Sequence, residues 1–200
     1  MQKPSDYDNV QAYGEFTPLK LGGHICKIMQ VEETKSSNGK DMLKISLDIA
    51  EGEQKDYYAQ QYKSDTRENK KWGCIVYQLV HDSNGNTNRG FKSFITAVEN
   101  SNPGFKVAWD NKFSACFKGK LVGGVFGREQ YLNAYQEKKF TTKCVQIRSV
   151  EAIRNGVDIP EDKLLPESPN NGYGQGYTPS SVGDGFMNIP DGIDEELPFM

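Results

Sequence analysis

The sequence predicts a mainly β domain, a five-stranded barrel with a helix between its third and fourth strands, followed by a disordered acidic tail. Three observations carry this. Leu43, Ile45, Leu47 and Ile49 alternate with Lys44, Ser46 and Asp48, the period of two that marks a half-buried strand. Phe91, Phe94, Ile95 and Val98 fall instead at helical spacing. From about residue 156 the chain turns to Pro, Gly, Asn, Ser and acids, a composition that cannot bury enough apolar surface to offset its ordering entropy.

In chain order, residues 1–20 are polar with a few aromatics and are expected to form an arm. "GHICKIMQVEE", about Gly23 to Glu33, is the first strand. Asn38-Gly39 signals a tight turn into the second strand, "MLKISLDIAEG", whose polar residues should face outward. A third strand is expected near "KDYYAQQYK", residues 55–63. The pattern of "KWGCIVYQLVH" does not decide between a strand and a short helix. "GFKSFITAVENSNPG" is a helix that stops at Asn102-Pro103-Gly104. In "KGKLVGGVFGRE" the glycines 119, 123, 124 and 127 suit a strongly curved or bulged fourth strand. "REQYLNAYQEKK" is read as a long connection with at most one helical turn, and "FTTKCVQIRSVEAI" as a last strand, about Phe140 to Ile153. Three strands, a helix and two strands make the order of the OB-fold, although another small antiparallel α+β domain has the same signature. The domain boundaries are then 1–20, 21–155 and 156–200.

The net charge of −3 at neutral pH hides an asymmetry. From residue 156 onward one base, Lys163, faces nine acids, a net −8; the first 155 residues carry 23 bases and 18 acids, a net +5. A basic body with a separable acidic tail is compatible with a nucleic-acid partner. No window reaches the roughly 18 consecutive apolar residues of a membrane span, and the first residues lack an apolar signal core, so a cytoplasmic protein without a membrane partner is expected. Cys26, Cys74, Cys116 and Cys144 form no CxxC pair and are expected as reduced thiols. His24 and His81 lie near no catalytic motif.

There is no GxxxxGK[ST] loop, no HExxH and no Gly-x-Ser-x-Gly elbow, and "GGVFG" does not match a dinucleotide fingerprint. No enzyme and no cofactor are expected. What remains is aromatic and basic residues interleaved. "YYAQQYKSDTRENKKW" sets Tyr57, Tyr58, Tyr62 and Trp72 among Lys63, Arg67, Lys70 and Lys71. On an extended strand Tyr58 and Tyr62 would share a face. "REQYLNAYQEKK" sets Arg128, Tyr131, Tyr135, Lys138 and Lys139 in the expected loop between strands four and five. Lys44, Lys120 and Arg148 add cations on the strands. Single-stranded nucleic acid needs this mixture, cations for phosphates and flat rings for unpaired bases. In each case the plain alternative is that the rings are core and the lysines a solvated surface.

"LKLGGHICKIMQVEETKSSNGKDMLKISLDIAEGE", "FKSFITAVENSNPGFKVAWD", "LVGGVFGREQYL" and "VEAIRNGVDIPEDKLLP" together resemble a family of phage and prophage single-stranded-DNA-binding proteins of Gram-positive hosts, over about Leu19 to Pro166. The resemblance implies an OB-fold core, binding without strong sequence preference, and a role in phage DNA replication or recombination within the host cytoplasm. It transfers no binding residue. The terminus "IDEELPFM" is similar to the acidic tip of bacterial single-strand-binding proteins in Glu195, Glu196, Leu197, Pro198 and Phe199, with Asp194 extending the acids. It departs in Met200, which moves the terminal carboxylate one residue beyond the phenylalanine. The similarity implies a tip that docks replication or recombination proteins. A scaffold module that binds no DNA, and a metal-dependent nuclease, are the rival expectations. The sequence leaves oligomeric state open, a homo-oligomer included.

Overall fold

The computed structural model describes residues 17–166, with 2–4 and 7. Nine elements follow in order: β1 (Gly22–Lys35), β2 (Asp41–Ile49), α1 (Tyr57–Ser64), β3 (Ile75–Leu79), α2 (Arg89–Ser101), α3 (Phe113–Cys116), β4 (Leu121–Leu132), β5 (Lys138–Arg148) and α4 (Val150–Arg154). The strands form one antiparallel sheet in the order β3-β2-β1-β4-β5, so the protein is mainly β with few helices, consistent with an OB-like fold. The sheet is not closed: β3 and β5 are its edges.

Strand β1 serves two partners. Its first half, Gly22–Lys27, pairs with β4, and Cys26–Lys35 pairs with β2. A bulge between Ile28 and Gln30, and another opposite Val125 and Phe126, add twist where the sheet must curl. One face carries Cys26, Ile28, Val31, Ile45, Leu47, Val76, Val122 and Phe126, all buried. Helix α2 plugs this face with Phe91, Phe94, Ile95 and Val98, the residues expected from their spacing, and with Ala97. Each large side chain so buried stabilises the fold by about 1.5–3 kcal/mol. The Asn88 side chain caps the helix by accepting from the Gly90 N–H, and Asn102 ends it, its side chain donating to the Leu121 carbonyl. The expected turn is present: Gly39 has φ 74°, and the Gly39 N–H donates to the Ser36 carbonyl.

Five expectations need correction. Residues 57–64 are helix, not a third strand; the third strand is Ile75–Leu79, in the segment whose pattern was undecided. The reason lies in Asp48, expected to face outward and in fact fully buried. Its carboxylate accepts the N–H groups of Tyr58 and Ala59 at 2.9 and 3.2 Å, and its own neighbour Ile49 at 2.8 Å. It therefore caps α1 from ten residues away in sequence, whereas Asp56 at the local cap position makes no side-chain cap bond. The segment "REQYLNAYQEKK" is not a long connection either. β4 runs to Leu132, and a tight turn at residues 133–137 leads straight into β5, with Asn133 Oδ1 accepting from the N–H groups of Tyr135 and Glu137. The last strand ends at Arg148; Ser149 then caps α4, its hydroxyl accepting from the Ala152 N–H. Lastly, the chain does not leave the domain at residue 156.

Residues 157–165 instead form a strap along β4. Beyond Gly22, where β1 begins, the strap takes over as neighbour to β4: the Lys163 N–H donates to the Arg128 carbonyl, and the Gln130 N–H to the Lys163 carbonyl. Of the glycines expected to bend β4, Gly123 and Gly127 admit this packing, as does Gly23 of β1, whereas Gly124 faces Phe126, Cys26 and Cys144 and Gly119 has φ 78°. A Cβ on Gly23 would lie 2.7 Å from Val157 Cγ2, and one on Gly123 only 2.3 Å from Ile153 Cγ1. Side chains of α4 and the strap fill the space that the missing side chains leave.

Burial, the larger effect, pushes the Asp48 carboxyl above the ordinary aspartate value, against the opposing pull of its N–H donors. A raised pKa means that the folded state holds the proton more tightly than the unfolded state. The stability contributed is full below the unfolded pKa and is lost as pH rises through the folded value. The stability of the wild type relative to Asp48→Asn, which cannot titrate, should therefore decline as pH rises from about 4 towards neutrality. Urea melts of both proteins across that range check this; a difference that grows with pH would mean that the donors outweigh burial.

Candidate nucleic-acid interface

The β4–β5 hairpin projects past the end of β1 and gathers one of the two expected clusters. Its cross-strand pairs are Arg128↔Thr142, Gln130↔Phe140, Tyr131↔Lys139 and Leu132↔Lys138. Strand alternation puts Arg128, Leu132, Lys138 and Phe140 on one face, and Tyr131, Lys139 and Lys143 on the other. Rings and cations thus alternate on both sides of a two-stranded ribbon. Tyr135, in the turn, is 64% exposed, and Phe140, which the sequence reading passed over, is 43% exposed. The Arg128 guanidinium lies 5.2 Å from the Phe140 ring centroid. Phe140 was legible in principle, since it sits in "KKF" directly after two lysines.

The cations differ in how freely they can meet a phosphate. Arg128 is held by Asp162 of the strap through two parallel bonds, which also raise its pKa. Glu129 sits between Lys143 and Lys163, at 3.4 and 2.6 Å. Lys139 pairs with Glu137 at 3.1 Å, but both are exposed, and such a pair is worth only about 0–1 kcal/mol. Lys138 is exposed at the hairpin base of the turn.

The second cluster is only partly available. Tyr58 is a correction: it is 4% exposed, stacks at 6.4 Å on Phe126 in the core, and burial holds its phenol well above the ordinary pKa. A buried ring cannot receive a base. Tyr62, one helical turn further, is half-buried and lies 5.5 Å from Trp72, with Lys70 Nζ 4.5 Å from its centroid. Trp72 Nε1 donates to the Leu47 carbonyl at 2.6 Å, so this half-buried ring fastens the loop to β2. Arg67 is bonded to Asp65 through Nε and Nη2, which pulls that carboxyl down to about 2. Lys63 and Lys71 are exposed.

Lys44 lies on the outer face of the sheet, opposite Glu32 on β1 and Tyr77 on β3, and pairs with Glu32 at 3.2 Å. Lys120 lies over the Phe105 ring at 4.6 Å, at the start of β4. Arg148 lines a groove of about 610 Å³ between β4, β5, α4 and the strap. These last two sit away from the hairpin tip. The tip residues Asp194, Glu195, Glu196, Leu197, Pro198 and Phe199 lie outside the described residues. No helix among the described residues is long and apolar enough to cross a membrane.

Comparison with protein-family models and with curated proteins finds no match.

Truncating Tyr58 to Ala should cost about 3–5 kcal/mol of stability, as for other buried rings. Tyr135→Ala and Phe140→Ala should leave stability nearly unchanged, within about 1 kcal/mol, because both rings are exposed. Each should weaken single-strand binding by about 1–3 kcal/mol. Thermal melts and oligonucleotide titrations of the three variants separate the roles; a Tyr58→Ala protein that folds normally but binds poorly would reverse the assignment.

Proposed function

We propose that the protein binds single-stranded DNA without sequence preference, as a non-enzymatic protective and recruiting factor in phage DNA replication or recombination. The observation that carries this reading is the β4–β5 hairpin, a ribbon with Tyr135 and Phe140 exposed among Lys138, Lys139 and Arg128. Phosphates would meet the lysines and unpaired bases the rings, with no base-edge readout required. In the same reading the curled sheet is an OB-type barrel, with the outer face of β2 and β3 as floor, Lys44 and Tyr77 upon it, and the hairpin as one wall. The resemblance to phage single-stranded-DNA-binding proteins supports the reading independently of the geometry.

Affinity for oligo-dT should fall linearly with log salt, by roughly 0.7 per phosphate neutralised, and should exceed that for duplex of equal length. Fluorescence titrations at two or more salt concentrations measure this. Salt-independent binding, or a preference for duplex, would contradict it, and cleavage of the oligonucleotide with Mg²⁺ would favour a nuclease instead.

The acidic terminus is assigned to partner proteins. Phe199 is the apolar anchor, with Asp194, Glu195 and Glu196 steering a basic pocket and Leu197 and Pro198 shaping the approach. Phe199→Ala in the full chain should abolish most binding to a replication or recombination protein while oligo-dT affinity stays the same. Pull-down from infected-host extract with both proteins reads this out; equal capture by the variant would remove the docking role.

A further inference from the structure

The most exposed large ring among the described residues lies outside both sequence clusters. Trp109 is 67% exposed, yet it is held firmly. It stacks on Phe113 at 5.4 Å and 28°, and meets the edge of Phe91 at 6.2 Å and 65°. Phe91 and Phe113 are in turn fixed against the core, Phe113 meeting Phe117 edge-on at 5.2 Å. Asp110 closes the turn beneath, its carboxylate accepting from the Lys112 N–H and its carbonyl from the Phe113 N–H. The ring is therefore held by two aromatic contacts while about two thirds of it stays in water. Burying that exposed surface would be favourable, so leaving it in water costs free energy that the fold has no internal need to spend.

The segments that hold the ring carry exposed cations. Arg89 and Lys92 flank Phe91 at the start of α2, and Lys112 precedes Phe113; all three are exposed, and no ion pair among the described residues engages them. Asp110, the nearest acid in sequence, is occupied by the turn. A flat, rigidly held ring with exposed cations on the segments that hold it suits a planar group joined to an anion.

We infer that Trp109, backed by Phe113 on segments that carry Arg89, Lys92 and Lys112, is a second nucleobase-stacking platform, separate from the hairpin. The inference rests on the single-strand-binding reading and extends its footprint. Helix α3 is joined to the far half of β1 by Ser114 Oγ donating to Glu33, whose partner on β2 is Leu43 on the core-facing side. The hairpin lies beyond the opposite end of β1, so a strand touching both would cross the sheet. A single module of this kind covers about 4–16 nucleotides, enough for such a path.

The chain has two tryptophans, so 5-fluorotryptophan labelling of the full chain gives two ¹⁹F signals, assigned with Trp109→Phe. Titration with dT20 should shift the Trp109 signal to saturation. Trp109→Ala should lower dT20 affinity by about 5- to 100-fold with an unchanged melting temperature, and Trp109→Phe should retain most of the affinity. If wild type binds dT20 but the Trp109 signal stays still and Trp109→Ala binds equally well, the platform is wrong while the binding function stands. Should wild type fail to bind dT20 at all, the function falls and the platform with it. Loss of self-association or of a protein partner in Trp109→Ala, with dT20 affinity intact, would make this a protein-docking surface and overturn the inference.

Discussion

The double duty of β1 is the constraint on which the rest of the fold depends. One strand of 14 residues hydrogen-bonds to β4 with its first half and to β2 with its second. Its two edges thus serve different neighbours over different halves, and the bulge at Ile28/Gln30 adds twist where the halves meet. That curl wraps one apolar face around α2. It also separates the two ends of the sheet, so that the β4–β5 hairpin extends beyond one end of β1 while α3 and Trp109 attach near the other.

The glycines complete this geometry from outside. Where β1 has not yet begun, β4 would expose an unpaired edge, and the strap at residues 157–165 covers it. The cover seats closely because Gly23, Gly123 and Gly127 offer no side chain against Val157, Ile153 and Pro160. Arg128 links the two parts, since its guanidinium is bonded to Asp162 of the strap while its flank lies over Phe140 of the hairpin. The position of the hairpin is thus coupled to the segment that leads to the acidic tail.

Much of this was legible where the cause is local. The alternation of Leu43, Ile45, Leu47 and Ile49, the spacing of Phe91, Phe94, Ile95 and Val98, and Asn38-Gly39 each act within a few residues and each read correctly. The chief misreading has a non-local cause. Tyr58 and Tyr62 are four apart, a spacing that shares a face in a strand and in a helix alike; the carboxylate that decides for helix belongs to Asp48, across the chain. The hairpin was mistaken for a loop because its turn depends on one side chain, Asn133. Of the residues in the two basic-aromatic clusters, burial removed Tyr58, and only tertiary packing shows that Trp109 stands proud of the surface.

The central claim is that single-stranded DNA lies across the sheet from the hairpin to the Trp109 platform, and hydrogen exchange of the full chain with and without dT20 tests it most directly. The account predicts slowed amide exchange in residues 128–143 and 107–113 on adding dT20, and no change in the strap at 157–165. Protection confined to α4 and the strap, or no protection anywhere under conditions where an unrelated single-strand binder responds, would contradict it.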